Sequence, residues 1–241
     1  MSLKIAIIGY GKMGREIEKL AREAGYDPFV IVDNVDQWIE QSDKINQADV
    51  AIEFTAPDVV EQNIRKLADR NIPVVTGTTG WHEKYDQITD YVKKCNGTLF
   101  YASNFSVGVN IFFAVNEYLA RIMKDYPRYR IQAEETHHTR KLDAPSGTAV
   151  TMVQDIIRNN TQYNGWKLVE DHPGEDEIPV TAKRIAGVVG EHGVDYISDI
   201  DTLTLKHSAH SREGFAKGAL LAARWVTDKK GIFTMKDLLN I

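Results

Sequence analysis

The sequence is poor in several features that would narrow its function at once. It holds one cysteine, Cys95, in 241 residues. That excludes an intramolecular disulfide framework and fits a reducing compartment. No stretch approaches the roughly 18 consecutive apolar residues of a spanning helix, and Met1-Ser2-Leu3 leads straight into a patterned segment. Neither a signal peptide nor a membrane span is expected, which leaves a soluble, cytoplasmic protein. Basic excess is missing too: 29 Lys and Arg stand against 34 Asp and Glu, a formal charge of −5. Nucleic acid or an anionic membrane held by bulk charge is therefore not expected. Internal repeats and low-complexity tracts are also absent. What is present is an ordinary globular composition, 43% hydrophobic, with length for two cores.

The first hundred residues alternate strand and helix patterns. Leu3–Ile8, Phe29–Val32, Val50–Phe54, Pro73–Thr76 and Thr98–Ala102 are short apolar runs, as expected of buried strands. Between them lie helical stripes: Met13, Ile17, Leu20 and Ala24, stopped by Gly25; Val60, Ile64, Leu67 and Ala68 after Ala56-Pro57; and Tyr85, Ile88, Val92 and Cys95. This rhythm predicts a parallel sheet wound by right-handed crossovers. After Asn104 it changes. A long helix runs through Phe112 to Met123, and Arg130–Thr136 alternates Ile131, Ala133 and Glu135 against Gln132 and Glu134. Ser146 opens a helix to about Asn159, Asn160–Glu177 reads as a loop, and strands follow at Val180–Ile185, Val194–Ser198 and Thr202–Lys206. Consecutive strands predict a mixed or antiparallel sheet. A last helix carries Phe215, Ala219, Ala222, Ala223 and Val226.

Gly9-Tyr10-Gly11-Lys12-Met13-Gly14 is a G-x-G-x-x-G between a predicted strand and a predicted helix. The first glycine permits the tight turn, the second lets backbone approach a pyrophosphate, and the third allows close helix–strand packing. Free N–H groups at the helix start face the phosphate oxygens. Asp33 ends the second strand, where a carboxylate can take ribose hydroxyls. Together these predict a Rossmann-like doubly wound sheet holding a nicotinamide cofactor; an empty glycine-rich turn, or a flavin or other nucleotide, is the competing reading. Gly77-Thr78-Thr79-Gly80 and Ala102-Ser103-Asn104-Phe105 sit at strand C-terminal ends, where such sheets bind ligands. Plain loops would look the same.

The densest chemistry lies between Glu134 and Ala149. His137, His138, Arg140 and Lys141 make a positive patch in an acidic chain. The helix opening at Ser146 adds backbone donors for a carboxylate, and histidine moves protons near neutral pH. Adjacent strand histidines point to opposite faces, and no further ligand stands at a familiar spacing, so no metal is expected. Ser146 before Gly147 reads as a helix cap rather than a nucleophile. A solvated charged loop is the broad alternative. His82, His172, His207 and His210 read as surface or hydrogen-bonding residues, and His192 as a turn residue which, with Arg184, could shape a cleft. Cys95 reads as a buried thiol.

The stretch Glu135-Thr136-His137-His138, with Lys141 and Asp143-Ala144-Pro145-Ser146-Gly147-Thr148-Ala149, resembles the signature of the 4-hydroxy-tetrahydrodipicolinate (dihydrodipicolinate) reductase family of the diaminopimelate route to lysine. Phe54-Thr55, Gly77–Gly80, Asn104–Asn110, Val189–His192 and Phe215–Ala219 resemble further family motifs in the family's order. The resemblance implies reduction of a cyclic dicarboxylate imine by NADH or NADPH. It implies His137 as general acid/base, Lys141 as proton donor, and His138 with the backbone of Gly147 and Thr148 as carboxylate holders. The cofactor would lie along Gly9–Gly14, Asp33, Gly77–Thr79 and Ala102–Phe105. It further implies a dinucleotide domain of residues 1–104 and 213–241, a substrate and oligomerisation domain of residues 105–212 on an α+β mixed sheet, a homotetramer, and closure between the domains.

The chain departs from the family in three places. The family's first loop has one more residue between the glycines, the stretch from Asp33 to Val50 is short, and Asn34 stands where many members carry a basic residue. A carboxylate without a cationic neighbour repels a 2′-phosphate, although Lys12 offers partial compensation. NADH is therefore expected to serve at least as well as NADPH. Two other functions fit the layout: a different NAD(P)-dependent dehydrogenase, and a dinucleotide sensor without turnover.

Overall fold

A computed structural model describes residues 2–241. The chain divides into two compact units, one of residues 2–107 with Glu213–Ile241, the other Gly108–Arg212. The first unit begins β1 (Lys4–Ile8), α1 (Lys12–Glu23), β2 (Asp27–Val32). Two short helices follow, α2 (Val35–Glu40) and α3 (Ser42–Ile45). Then come β3 (Val50–Glu53), α4 (Val60–Ala68), β4 (Val74–Thr76), α5 (Tyr85–Lys94) and β5 (Thr98–Tyr101). In the second unit are α6 (Val107–Met123), β6 (Arg130–His137), α7 (Gly147–Asn159), β7 (Gly165–Leu168), β8 (Glu177–Arg184), β9 (Gly190–Ile197) and β10 (Thr202–Ala209). The chain then returns to the first unit with α8 (Glu213–Val226), β11 (Gly231–Phe233) and α9 (Met235–Leu239).

The first unit's sheet is wholly parallel, in the order β11-β5-β4-β3-β1-β2. This is the Rossmann-like sheet the sequence predicts. Its inner strands are buried on both faces, which is why they read as unbroken apolar runs. Ile17, Leu20 and Ala21 of α1 lie against one face beside Ile5, Ile7 and Ile52. Val60, Ile64 and Leu67 of α4 lie against the other with Ala6, Ile8 and Val74. Helix α8 covers the first face with the small residues Ala216, Ala219, Ala222 and Ala223. Smallness is required there: a Cβ at Gly218 would come within 1.8 Å of the Phe105 carbonyl oxygen.

The second unit is a five-stranded sheet in the order β10-β9-β6-β8-β7. β8 runs parallel to β6 and β7, while β9 is antiparallel to β6 and β10. The sheet is thus mixed, as expected. One core unites Phe112 and Ala120 of α6 with Met152, Val153 and Ile156 of α7 and with Ile131, Val180, Val194 and Tyr196 of the strands.

Local differences from the sequence reading have simple causes. Asn160–Glu177 is not all loop: it holds β7, a four-residue edge strand, and a 3-10 turn at Val169–Asp171. A run as short as Gly165–Leu168 gives no period to detect. Residues 35–45 form α2 and α3, and β11 and α9 were not anticipated. His192 lies within β9 rather than in a turn. Cys95 caps α5 half-buried, with its thiol 3.8 Å from Asp69 Oδ1, rather than deep in the core. Among the described residues no helix is long and apolar enough to cross a membrane.

Candidate functional site

In the first unit the glycine-rich turn leaves β1 at Gly9, whose φ is +91°. A Cβ there would lie 2.2 Å from the Phe54 carbonyl oxygen. Only glycine tolerates both the angle and the contact. A Cβ at Gly14 would meet the Gly9 carbonyl oxygen at 2.2 Å, so α1 packs directly on the turn. Gly11, at the helix N-cap, is different: a Cβ there would meet nothing within 4 Å, and no side chain caps the helix. Lys12 and Met13 form its first turn. The Tyr10 N–H donates to Asp33 Oδ1 at 2.7 Å, which sets the carboxylate at the end of β2. Asn34 accepts from the Gln37 N–H at 2.9 Å and so caps α2.

A cavity of about 380 Å³ opens beside these residues. Gly9, Gly11 and Asp33 line it, together with Trp38, Thr55 and Lys66. An uncapped helix N-terminus, an open glycine and an anchored carboxylate around one cavity fit a dinucleotide. Gly77–Thr79 and Ala102–Phe105 do not line this cavity. Gly77 packs against the Phe54 ring, where a Cβ would come within 2.1 Å, and Phe105 is buried among core residues. Thr78 Oγ1 accepts from the Thr55 N–H at 2.8 Å and donates to Glu53 Oε2 at 2.8 Å. Glu53, which the sequence reading passed over, is 0% exposed. It accepts from the hydroxyls of Thr55, Thr76 and Thr78 and from Asn63. This carboxylate ties together the loops after β3 and β4.

In the second unit β6 delivers the other site. Its inward face carries Ile131, Ala133 and Glu135, and His137 follows at the strand's end. Glu135 is 0% exposed. One carboxylate oxygen pairs with His137 Nδ1. The other accepts from Arg184 at 2.9 Å and from the Ser146 N–H at 3.3 Å. Arg184 also donates to the Asp143 carbonyl at 2.6 Å. Ser146 caps α7, its Oγ accepting from the Ala149 N–H, and it meets His192 Nε2 at 3.1 Å. The cap reading of Ser146 is thus the observed one.

The charges act on one another. Burial pushes the His137 imidazole below its ordinary value; Glu135 opposes this, while Lys141 and Arg184 add to it. Burial, with His137, His207 and Lys141 nearby, pushes His192 down to about 3, so it is neutral near pH 7. Lys141 Nζ binds both oxygens of Asp143 at 2.8 Å and holds that carboxyl below the usual range. His138 Nε2 stands 3.2 Å from Arg212, and its Nδ1, like that of His192, is buried without a hydrogen-bond partner among the described residues. At Gly147, the first residue of α7, a Cβ would meet nothing within 4 Å, so the helix start beside Thr148 is open.

Glu135, His137 and His192 also bring one oxygen and two nitrogens within 4.8 Å of one another, the spacing of a metal triad. The Glu135 oxygens, however, are engaged by His137, Arg184 and Ser146. A guanidinium at 2.9 Å from the carboxylate opposes a second cation there.

Known proteins decide the family. Residues 3–105 match the family described as "Dihydrodipicolinate reductase, N-terminus", and residues 108–239 match "Dihydrodipicolinate reductase, C-terminus". The chain belongs to the dihydrodipicolinate reductase family. A relative from Christiangramia forsetii named 4-hydroxy-tetrahydrodipicolinate reductase is 45% identical over 99% of this chain and 98% of its own length. One of the same name from Alkaliphilus oremlandii is 33% identical over 96% and 95%. The fold matches the structure of dipicolinate-bound dihydrodipicolinate reductase from Paenisporosarcina sp. TG-14, with a TM-score of 0.73 and 23% identity over 97% of this chain and 98% of that one. Family membership makes the chain an NAD(P)H-dependent oxidoreductase, a 4-hydroxy-tetrahydrodipicolinate reductase.

Proposed function

We propose that the reductase works through His137 and Lys141, and that NADH serves it at least as well as NADPH. The observation that carries the site assignment is the joining of His137 to the start of α7 through Glu135. It sets a proton-transfer group beside backbone donors suited to a carboxylate. Loss of water from the hydroxylated ring leaves a conjugated imine. The nicotinamide supplies hydride to carbon when bound in the first unit. His138, with the N–H groups of Gly147 and Thr148, holds the two ring carboxylates. Lys141, released from its exposed pairing with Asp143, donates the proton that quenches the developing charge, and His137 acts as general acid/base.

The cofactor preference rests on Asp33 and Asn34. Asn34 turns its side chain to capping α2 and offers no cation to a 2′-phosphate. Lys66 lines the same cavity, its ammonium 5.1 Å over the Trp38 ring. Gly77–Thr79 and Ala102–Phe105 belong to the nicotinamide end of the cofactor path. The first unit is the dinucleotide domain, and the second binds substrate and joins protomers into a homotetramer in the cytoplasm.

A coupled assay with freshly generated substrate tests this. His137→Gln and Lys141→Ala should each cut turnover by about 10²- to 10⁴-fold, while cofactor affinity, read by fluorescence, stays unchanged. Normal turnover in both variants overturns the site assignment. A strong preference for NADPH in wild-type kcat/KM overturns the cofactor reading.

A further inference from the structure

We propose that Glu135 is the positioning residue of His137, holding its Nδ1–H so that Nε2 alone faces the reaction. The proposal rests on the assignment of His137 as acid/base. Glu135 has no solvent to turn toward: it is fully buried, and its two oxygens face three fixed partners. Arg184 and the Ser146 N–H clamp one oxygen, which directs the other at His137 Nδ1. A buried carboxylate can only accept from that nitrogen while Arg184 keeps it charge-paired, so the neutral imidazole is the Nδ1–H tautomer. On the far side of the ring, a Cβ at Gly190 would come within 3.0 Å of His137 Nε2. The missing side chain at this glycine of β9 therefore leaves the ring room at Nε2.

Charge follows from the same arrangement. The groups facing His137 are Glu135 on its own strand, Arg184 from β8, Lys141 from the following loop, and His192 from β9 with its ring centroid 5.1 Å away. Arg184 and Lys141 oppose an imidazolium, and neutral His192 contributes no counter-charge. Glu135 is the single anion in this set. Without it, burial, Lys141 and Arg184 would depress the imidazole further with nothing to oppose them, and its ring would lose the partner that orients it.

Two measurements on the cofactor-free protein test this by nitrogen-15 NMR of the His137 ring. The neutral wild-type imidazole should carry its proton on Nδ1; a proton on Nε2 instead overturns the proposal, whether or not any variant folds. In Glu135→Gln the His137 titration midpoint should fall by about one pH unit or more; an unchanged midpoint overturns it. In turnover, Glu135→Gln should lower kcat about 100-fold with substrate KM changed less than about threefold, and Glu135→Asp should recover at least about tenfold of that loss. A loss carried by KM alone, or equal loss in the Asp and Gln variants, marks Glu135 as a scaffold residue and overturns the proposal. The NMR results do not depend on which substrate is turned over, so an inactive wild type would sink the functional reading and leave this one to be judged separately.

Discussion

The two units each bury one glutamate completely, and they use it in opposite ways. Glu53 sits at the end of β3 among three threonine hydroxyls and an asparagine amide. Glu135 sits near the end of β6 between an imidazole and a guanidinium. Neutral donors satisfy a carboxylate without answering to pH, so Glu53 fixes the shape of two loops. Ionisable partners make the carboxylate part of a charge balance, so Glu135 opposes the depression of the His137 imidazole by burial. The first unit thus surrounds its cavity with backbone and held shape, while the second gathers side-chain charge.

That contrast can be broken most forcefully in the glycine turn. Gly9→Ala should destabilise the protein by about 4 kcal/mol, the sum of a strained positive φ and overpacking. Gly11→Ala should leave the urea midpoint unchanged and weaken NADH binding about tenfold, because its Cβ enters ligand space rather than protein. Equal destabilisation by both would show that the turn is structural throughout. A smaller effect is expected at the neutral carboxylate. Glu53→Ala should cost about 3 kcal/mol in urea unfolding by leaving buried hydroxyls unpaired, while the pH profile of kcat keeps its shape. A shifted profile would erase the distinction between the two glutamates.

The smallest effect is a pH dependence that belongs to the second unit. His192 takes its proton near pH 6.5 when unfolded but only at about 3 when folded. Its contribution is fully present above pH 6.5 and is lost as pH falls toward 3. Between pH 7 and 5 this amounts to about 2 kcal/mol. Burial depresses His137 and His207 as well, so the wild type should lose more. His192→Asn should lose about 2 kcal/mol less over that interval, measured by urea unfolding at the two pH values. Parallel losses in both proteins would remove His192 from the account.

The parallel sheet of the first unit was legible because its strands are buried on both faces and its helices carry plain 3.6-residue stripes. The helix cap at Ser146 was legible for a similar reason, since Ser-Gly before an apolar stripe is a local signal. Glu135 carried a signal that went unused. Alternation placed it on one face with Ile131 and Ala133, and a carboxylate at the end of an apolar stripe must find a buried partner. Arg184 could not be read that way, because its meeting with Glu135 depends on the parallel pairing of β6 with β8, which joins residues some fifty positions apart. Trp38 and Lys66 were missed for a comparable reason: α2 and α4 meet across a cavity that no local spacing reveals. His192 was misplaced because glycines at 190 and 193 resemble a turn while serving an interior strand.

The return of α8 and β11 to the first sheet has a consequence for how the polypeptide is made. Residues 2–107 leave the ribosome carrying the apolar face of Ile5, Ile52 and Phe100, yet the alanine-lined helix that covers it starts only at Glu213. The second unit, Gly108–Arg212, is contiguous and is synthesised in the interval. During synthesis the first unit must therefore wait, partly uncovered, while the second completes its own core. That interval is when an exposed sheet face is open to association with other chains.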